Sequence, residues 1–250
     1  MTFTSYYWHT AQLGSKVLND ARAILVGDDR AQAPTALATL LKSDRLAARG
    51  IALDHYHHAE ATSRFGVDNP FGRQRDLVVR EARSMLDEPP IIAGTEGAEI
   101  DGANHASALG ALINLADDTD AGRVADAMLG APNMTVLELA LECAGTVLDQ
   151  SHDPALVAAT REVVLTETVA AAARGNALHV LAIADPDDAR RLATELLRQN
   201  DIRLQAEASW LLVAQDLTRY RDLVGEVVAG WPSDAPYPAF EVRQLLAGND

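Results

Sequence analysis

The sequence predicts an all-α protein built as a stack of about six helical hairpins, with a capping helix at its N-terminal end. Three observations predict it. Alanine and leucine dominate a composition that is 48% hydrophobic and only 5% aromatic, and both residues lose little side-chain freedom in a helix. No run of Val, Ile and Thr alternates apolar and polar residues between turn signals, so strand patterns are missing. Helix-period segments recur at a nearly fixed interval. "DPALVAATREVVLTE" opens at Asp153 and "DPDDARRLATELLRQ" at Asp185, 32 residues later. Their following helices, "TVAAAARGNALHVLAIA" from Thr168 and "DIRLQAEASWLLVAQ" from Asp201, begin 33 residues apart. Such a period marks stacked hairpins, each of which buries its apolar face only against its neighbours.

The elements follow from local signals. Aspartate before proline is a good helix start, because the carboxylate caps free N–H groups and proline lacks one. Helix pairs are expected at 119–130 with 133–149, 153–166 with 168–184, 186–199 with 201–215, and 217–230 with 237–247. Nearer the N-terminus, "PTALATLLKSDRLAARGIALDHY" (Pro34–Tyr56) parallels "RRLATELLRQNDIRLQAEASWLL" (Arg190–Leu212). A helix over about 5–25 forms the cap, with Tyr6, Tyr7 and Trp8 packed down or offered as a sticky surface. The chain reads as one domain over 1–250: the cap within 1–29, irregular repeats over 30–118, and regular repeats over 119–250. The irregularity comes from loops at 62–75 and 88–102, either side of a helix at 76–87. Long loops within a compact array tend to be functional or mobile.

Charge narrows the function. Thirty-six acidic against 21 basic residues give a net charge of −15. Nucleic acid and anionic membrane are disfavoured as partners, since both are bound chiefly through lysine and arginine. A basic protein suits this surface, although the charge also serves solubility alone. The N-terminus lacks the pattern of a signal peptide, and no apolar run reaches the roughly 18 residues of a membrane span. A soluble cytoplasmic protein is expected. The one cysteine, Cys143, sits in the apolar run "LELALECAGTVL" and is expected to be buried and inert.

Chemistry-bearing motifs are few. "IALDHYHHAEAT" (Ile51–Thr62) sets Asp54, His55, His57 and His58 on one helix. Residues three and four apart share a face, so Asp54, His55 and His58 converge while His57 points elsewhere. That trio is a weak metal alternative, because another segment would have to complete the ligand set. The acidic clusters at 116–122, 151–155 and 184–189 fall where helices open and are read as caps. Phosphate-loop, nucleophile-elbow and zinc-deaminase motifs do not occur. No catalytic residue and no cofactor is assigned. The loop "TSRFGVDNPFGRQR" is the best binding candidate, because Phe65 and Phe71 lie among Arg64, Arg73 and Arg75, and arginine and aromatic residues often anchor interfaces.

Second helices that open with Asp and continue with apolar, Arg and Ala positions are carried by "DIRLQAEASWLL", "SDRLAARGIALDHY" and, less fully, "DLVVREARSML". In these the chain resembles HEAT-type repeats over about 30–250. The resemblance implies an α-solenoid whose second helices line a concave face. HEAT-like proteins mostly bind other proteins, and a few bind nucleic acid, modify bases or act on cofactors. Arg49, His105, Glu138, Glu142 and Glu207 are the polar positions assigned to that face, with Trp210 nearby and read as core. The expected function is an adaptor, an assembly factor or an inhibitor of a basic protein. The alternative is an enzyme or small-molecule binder with a pocket near His55, His58 and His105.

Overall fold

The computed structural model describes residues 3–27 and 29–248. Among them are twelve α-helices and no strands, with helix making up 69%. The chain divides into two compact units, Met1–Val147 and Leu148–Asp250.

The first unit holds α1 (Lys16–Val26), α2 (Ala33–Leu41), α3 (Leu46–Ser63), α4 (Arg75–Leu86), α5 (Ala103–Leu112), α6 (Ala121–Leu129) and the part of α7 (Met134–Gln150) up to Val147. Besides touching sequence neighbours, α2 packs on α4, α4 on α6, and α3 on α5. The α7 side adds the Cys143 thiol, which donates to the Leu109 carbonyl at 3.1 Å, and Thr146, whose hydroxyl donates to the Ile113 carbonyl. Cys143 is fully buried, and burial holds its thiol well above its ordinary pKa. The core is aliphatic: Leu37, Leu40, Leu41, Ile51, Leu53, Met85, Leu109 and Leu112 are all inaccessible to solvent. A buried ion pair ties α4 to the start of α6. Arg83 holds Asp120 in a fork at 2.7 and 2.9 Å, and Asp120 has no exposed surface.

The second unit holds α8 (Pro154–Leu165), α9 (Ala171–Ala184), α10 (Pro186–Leu196), α11 (Ile202–Ala229) and α12 (Ala239–Ala247). Here α8 packs on α9, α10 on α9 and α11, α11 on α12, and α9 also meets α11. The three aspartates expected as caps do that work. Asp153 accepts from the N–H groups of Ala155 and Leu156, Asp185 from that of Asp188, and Asp201 from that of Leu204. The helices expected at 201–215 and 217–230 run together as α11, with the backbone break between them at Asp216 (φ −155°, ψ 83°). Asp216 restarts the helix by capping the Arg219 N–H at 3.0 Å.

Two local expectations differ from the structure. The first helix begins at Lys16, not near residue 5. Gly14 takes a left-handed conformation (φ +69°), and the Tyr6 and Tyr7 amides are used outside any helix, as described below. The segment at 62–75 is shorter than read, because α3 continues to Ser63 and a 3₁₀ turn at Gly72–Gln74 leads directly into α4. The 88–102 segment is indeed without α-helix, but it is tethered. Asn104 bonds to the Ile91 amide and the Pro89 carbonyl, Asp101 accepts from the Ala93 amide, and the Gly102 amide donates to the Ile91 carbonyl.

Candidate functional site

Asp54 is the pivot of the first unit. It lies on α3, 1% exposed, and four groups donate to its carboxylate. Ser107 of α5 donates to Oδ1 at 2.6 Å. The Ser5 hydroxyl and the Tyr6 and Tyr7 amides donate to Oδ2 at 2.5, 2.7 and 3.2 Å. Trp8 closes the network, its indole N–H donating to Ser107 Oγ at 2.9 Å and its amide to Ser5 Oγ at 3.1 Å. The N-terminal residues are therefore pinned across α3 and α5 by one carboxylate. Burial raises the Asp54 pKa to about 6, against the lowering pull of Ser107, Ser5 and the Tyr6 and Tyr7 amides.

Small residues make room for this segment. A Cβ at Gly50 would lie 2.3 Å from Trp8 Nε1, so only glycine lets the indole meet α3. Gly97, at φ +85°, lies against Ala11, where a Cβ would come within 2.7 Å of its Cα. The Glu99 amide donates to the Tyr7 carbonyl, and the Glu99 carboxylate meets His9 Nδ1 at 2.6 Å. Glu96 accepts from the Ala47 amide at 3.2 Å and so satisfies a free N–H in the first turn of α3. The 88–102 loop and the N-terminal segment thus support each other.

The histidines diverge. His55 Nε2 donates to the Thr4 carbonyl at 3.1 Å, and burial pushes its pKa down to about 4. His58 stacks on Phe3 at 4.2 Å, with Tyr6 Oη 3.4 Å from its Nδ1. His57 lies against Gly110 of α5 and beside Tyr6. Burial lowers the pKa of both His57 and His58. Asp54 is already saturated by donors, and among the described residues no three His, Cys, Asp or Glu side chains are grouped to hold a metal. His55 and His58 do line a cleft of about 520 Å³, together with Phe3, Arg30, Thr62 and Phe71. His105 is not part of it. That ring is buried, with Nε2 bonded to the Glu88 carbonyl at 2.7 Å.

The remaining assigned residues separate by exposure. Phe65 is 87% exposed on the turn that ends α3. Arg64 beside it bonds to Asn114 at 2.7 Å, Val67 and Arg73 are exposed on the same connection, and Arg75 is exposed at the start of α4. Phe71 points the other way, 5% exposed. Glu138 and Glu142 are exposed on α7. The Glu142 pKa is raised first by partial burial of its carboxyl and then by Glu138, while Arg64 lowers it, so Arg64 and Glu142 sense each other's charge. Arg49 is buried and bonds to Glu88 at 2.8 Å, with its Nε unpartnered. Phe71, Arg49 and His105 thus face inward within the protein. Sequence periodicity did not reveal this, because polar residues at a presumed inner face look alike whether a partner or the protein itself satisfies them.

In the second unit Glu207 is likewise internal, 2% exposed. Arg203 bonds to it at 3.0 and 2.9 Å, His179 at 3.3 Å, and a Cβ at Gly175 would strike its side chain at 2.4 Å. Trp210 is half-buried, in edge contact with His179 and Tyr237. Glu207 is a strut joining α9 to α11. Glu207→Ala is expected to lower stability by about 2–4 kcal/mol, since it strands a partly buried guanidinium. Chemical denaturation followed by circular dichroism measures it, and Glu207→Gln should recover part of the loss.

The Asp54 network was missed from sequence because its members, Ser5, Asp54 and Ser107, are far apart in the chain. The available signal was Gly50, a glycine inside a helix, which often marks a close approach. No protein-family model matches the chain, and no curated protein matches it either.

Proposed function

We propose that this is a protein-binding helical-repeat protein of the cytoplasm, whose first unit contacts a basic partner through the turn after α3 and the exposed carboxylates of α7. The observation that carries the proposal is Phe65, 87% exposed between Arg64 and a connection bearing Val67. A large aromatic in water beside a guanidinium has the composition of an interface anchor. Glu138 and Glu142 add like charges that a cationic partner relieves, on a chain of net charge −15. The packing of α2, α4 and α6 in one succession and of α3 and α5 in another supports stacked hairpins of α-solenoid type. Adaptor, assembly factor and inhibitor of a basic enzyme all use such a surface.

The test is retention of host proteins on the immobilised chain at low and high salt. One stoichiometric basic protein is expected, released by salt. Its binding should fall about tenfold or more with Phe65→Ala and again with Glu138→Gln/Glu142→Gln, while the melting temperature stays unchanged. Retention equal in wild type and both variants contradicts the proposal.

A second reading has its own observation, the cleft of about 520 Å³ that His55 and His58 line. It makes the protein a binder of, or enzyme acting on, a small molecule. A ligand that copurifies with the wild type and is lost with His58→Ala, but not with Phe65→Ala, supports that reading over the first.

A further inference from the structure

The second unit carries a cleft of the opposite charge. Arg190, Arg191 and Arg198 from α10 and the residues just after it, with Arg219 from α11, line an open cavity of about 410 Å³ together with Thr194 and Tyr220. Its acidic members are Asp187 and Glu195. Four guanidinium groups thus line the cleft beside two carboxylates, and a third carboxylate, Asp188, pairs with Arg191 from outside that lining and is shared with Arg161.

The four arginines are not equivalent. Arg190 is held by Asp187 and by Gln215. Arg191 is held by Asp188 and Glu195. Those two are oriented and already neutralised. Arg198 and Arg219 have no ion pair among the described residues. Arg219 lies one turn into the helix that Asp216 restarts, its guanidinium 5.1 Å from the ring centre of Tyr220, which is only 7% exposed. A buried ring beneath it limits the freedom of that guanidinium, so less ordering remains for a ligand to impose.

We propose that this cleft binds a phosphate monoester, with Arg198 and Arg219 as the charge-bearing contacts and the paired Arg190 and Arg191 as its fixed wall. The charge decides the ligand class. Two guanidinium groups without an ion pair among the described residues match the −1.5 to −2 charge that a phosphate monoester carries near neutrality, and the planar fork of arginine fits phosphate oxygens two at a time. Extended nucleic acid is repelled by the rest of the chain. The Thr194 hydroxyl already donates to the Arg190 carbonyl, so its oxygen offers no further donor. The site is independent of the Phe65 surface on the first unit.

Two probes distinguish the sources of such a group. O-phosphoserine represents a modified protein and ribose 5-phosphate a metabolite, with serine and ribose as controls. NMR of the arginine side chains in the full chain reads the titration. Saturable shifts of the Arg198 and Arg219 Nε–H signals with either phosphate, and none with its control, are expected. Arg198→Ala/Arg219→Ala should weaken binding on the order of a hundredfold, with an unchanged circular dichroism spectrum. Arg198→Lys/Arg219→Lys should recover only part. The tighter of the two probes names the source. The proposal is overturned if neither phosphate gives saturable shifts, or if the double alanine variant binds as well as wild type. It is equally overturned if the two arginines serve only the fold, so that their replacement lowers the melting temperature while the remaining arginine signals titrate unchanged.

Discussion

Asp54→Ala is expected to destabilise the first unit by about 3–5 kcal/mol, the range for breaking a buried charged network by removing one side. The substitution leaves four donors without their acceptor. Ser5 and Ser107 can rotate their hydroxyls toward other oxygens, but the Tyr6 and Tyr7 amides cannot turn. Part of the loss is offset, because the ionised carboxylate is itself costly to bury. The measurements are urea denaturation and amide exchange. Exchange at Tyr6, Tyr7 and Trp8 should accelerate far more than at the core of α5. A variant that melts with wild type, its amides still protected, contradicts the pinning role of Asp54.

The pH dependence has two opposing parts. Asp54 has a folded pKa of about 6 against the ordinary carboxyl value of 3.8. Its contribution to stability is fully present below the unfolded value and is lost as pH rises through the folded one, so acidification from pH 7 toward 4 adds roughly 3 kcal/mol from this group. His55 is lowered from 6.5 to about 4. Its contribution is present above 6.5 and lost as pH falls through 4, roughly 3 kcal/mol in the other direction. The lowered pKa values of His57 and His58 work in the same sense as His55. Wild type should therefore lose stability only modestly down to about pH 5, whereas Asp54→Asn, which removes the compensating group, should show a steeper acid loss. Parallel profiles for the two proteins would contradict this balance.

Trp8→Ala is the second large effect, about 3–5 kcal/mol, as for truncation of a fully buried aromatic that leaves a cavity. Trp8 has no exposed surface and fills the space above Gly50. The loss should not add to that of Asp54→Ala, because Ser5 and Ser107 connect the two residues directly. A double-mutant cycle tests this. A coupling near zero would mean that the indole and the carboxylate hold the segment separately. The converse probe, Gly50→Ala, sets a gain of about 1 kcal/mol in helix propensity against a Cβ placed 2.3 Å from Trp8 Nε1. The steric term dominates, and a net loss is expected.

The all-helical class was legible because it rests on local rules. Asp153, Asp185 and Asp201 announce their helices by capping chemistry that needs no distant partner, and each bonds as a cap should. Asp216 does the same inside α11, where the sequence placed a gap between two helices. The N-terminal segment was not legible. The sequence pattern includes Tyr6, Tyr7 and Trp8 in a helix, but the acceptor that draws the Tyr6 and Tyr7 amides away from helix geometry is Asp54 on α3, and no local pattern encodes it. The candidate surface was half legible for a similar reason. Phe65 and Phe71 sit in the same Gly- and Asn-punctuated stretch, and composition treats them alike. In the structure Asn69 accepts the Phe71 amide at 2.8 Å, and its own amide donates to Glu60 of α3 at 2.7 Å. That anchored turn accompanies Phe71 into the core, while Phe65 is left in water.

The contact surface is tested most directly by site-specific photocrosslinking in the native host. A benzoylphenylalanine in place of Phe65 is compared with one in place of Leu165, which is 44% exposed on the second unit. One discrete adduct with a basic protein is expected from position 65, weakened by Glu138→Gln/Glu142→Gln, and none of that mass from position 165. No adduct at position 65, or the same adducts from both positions, would contradict it.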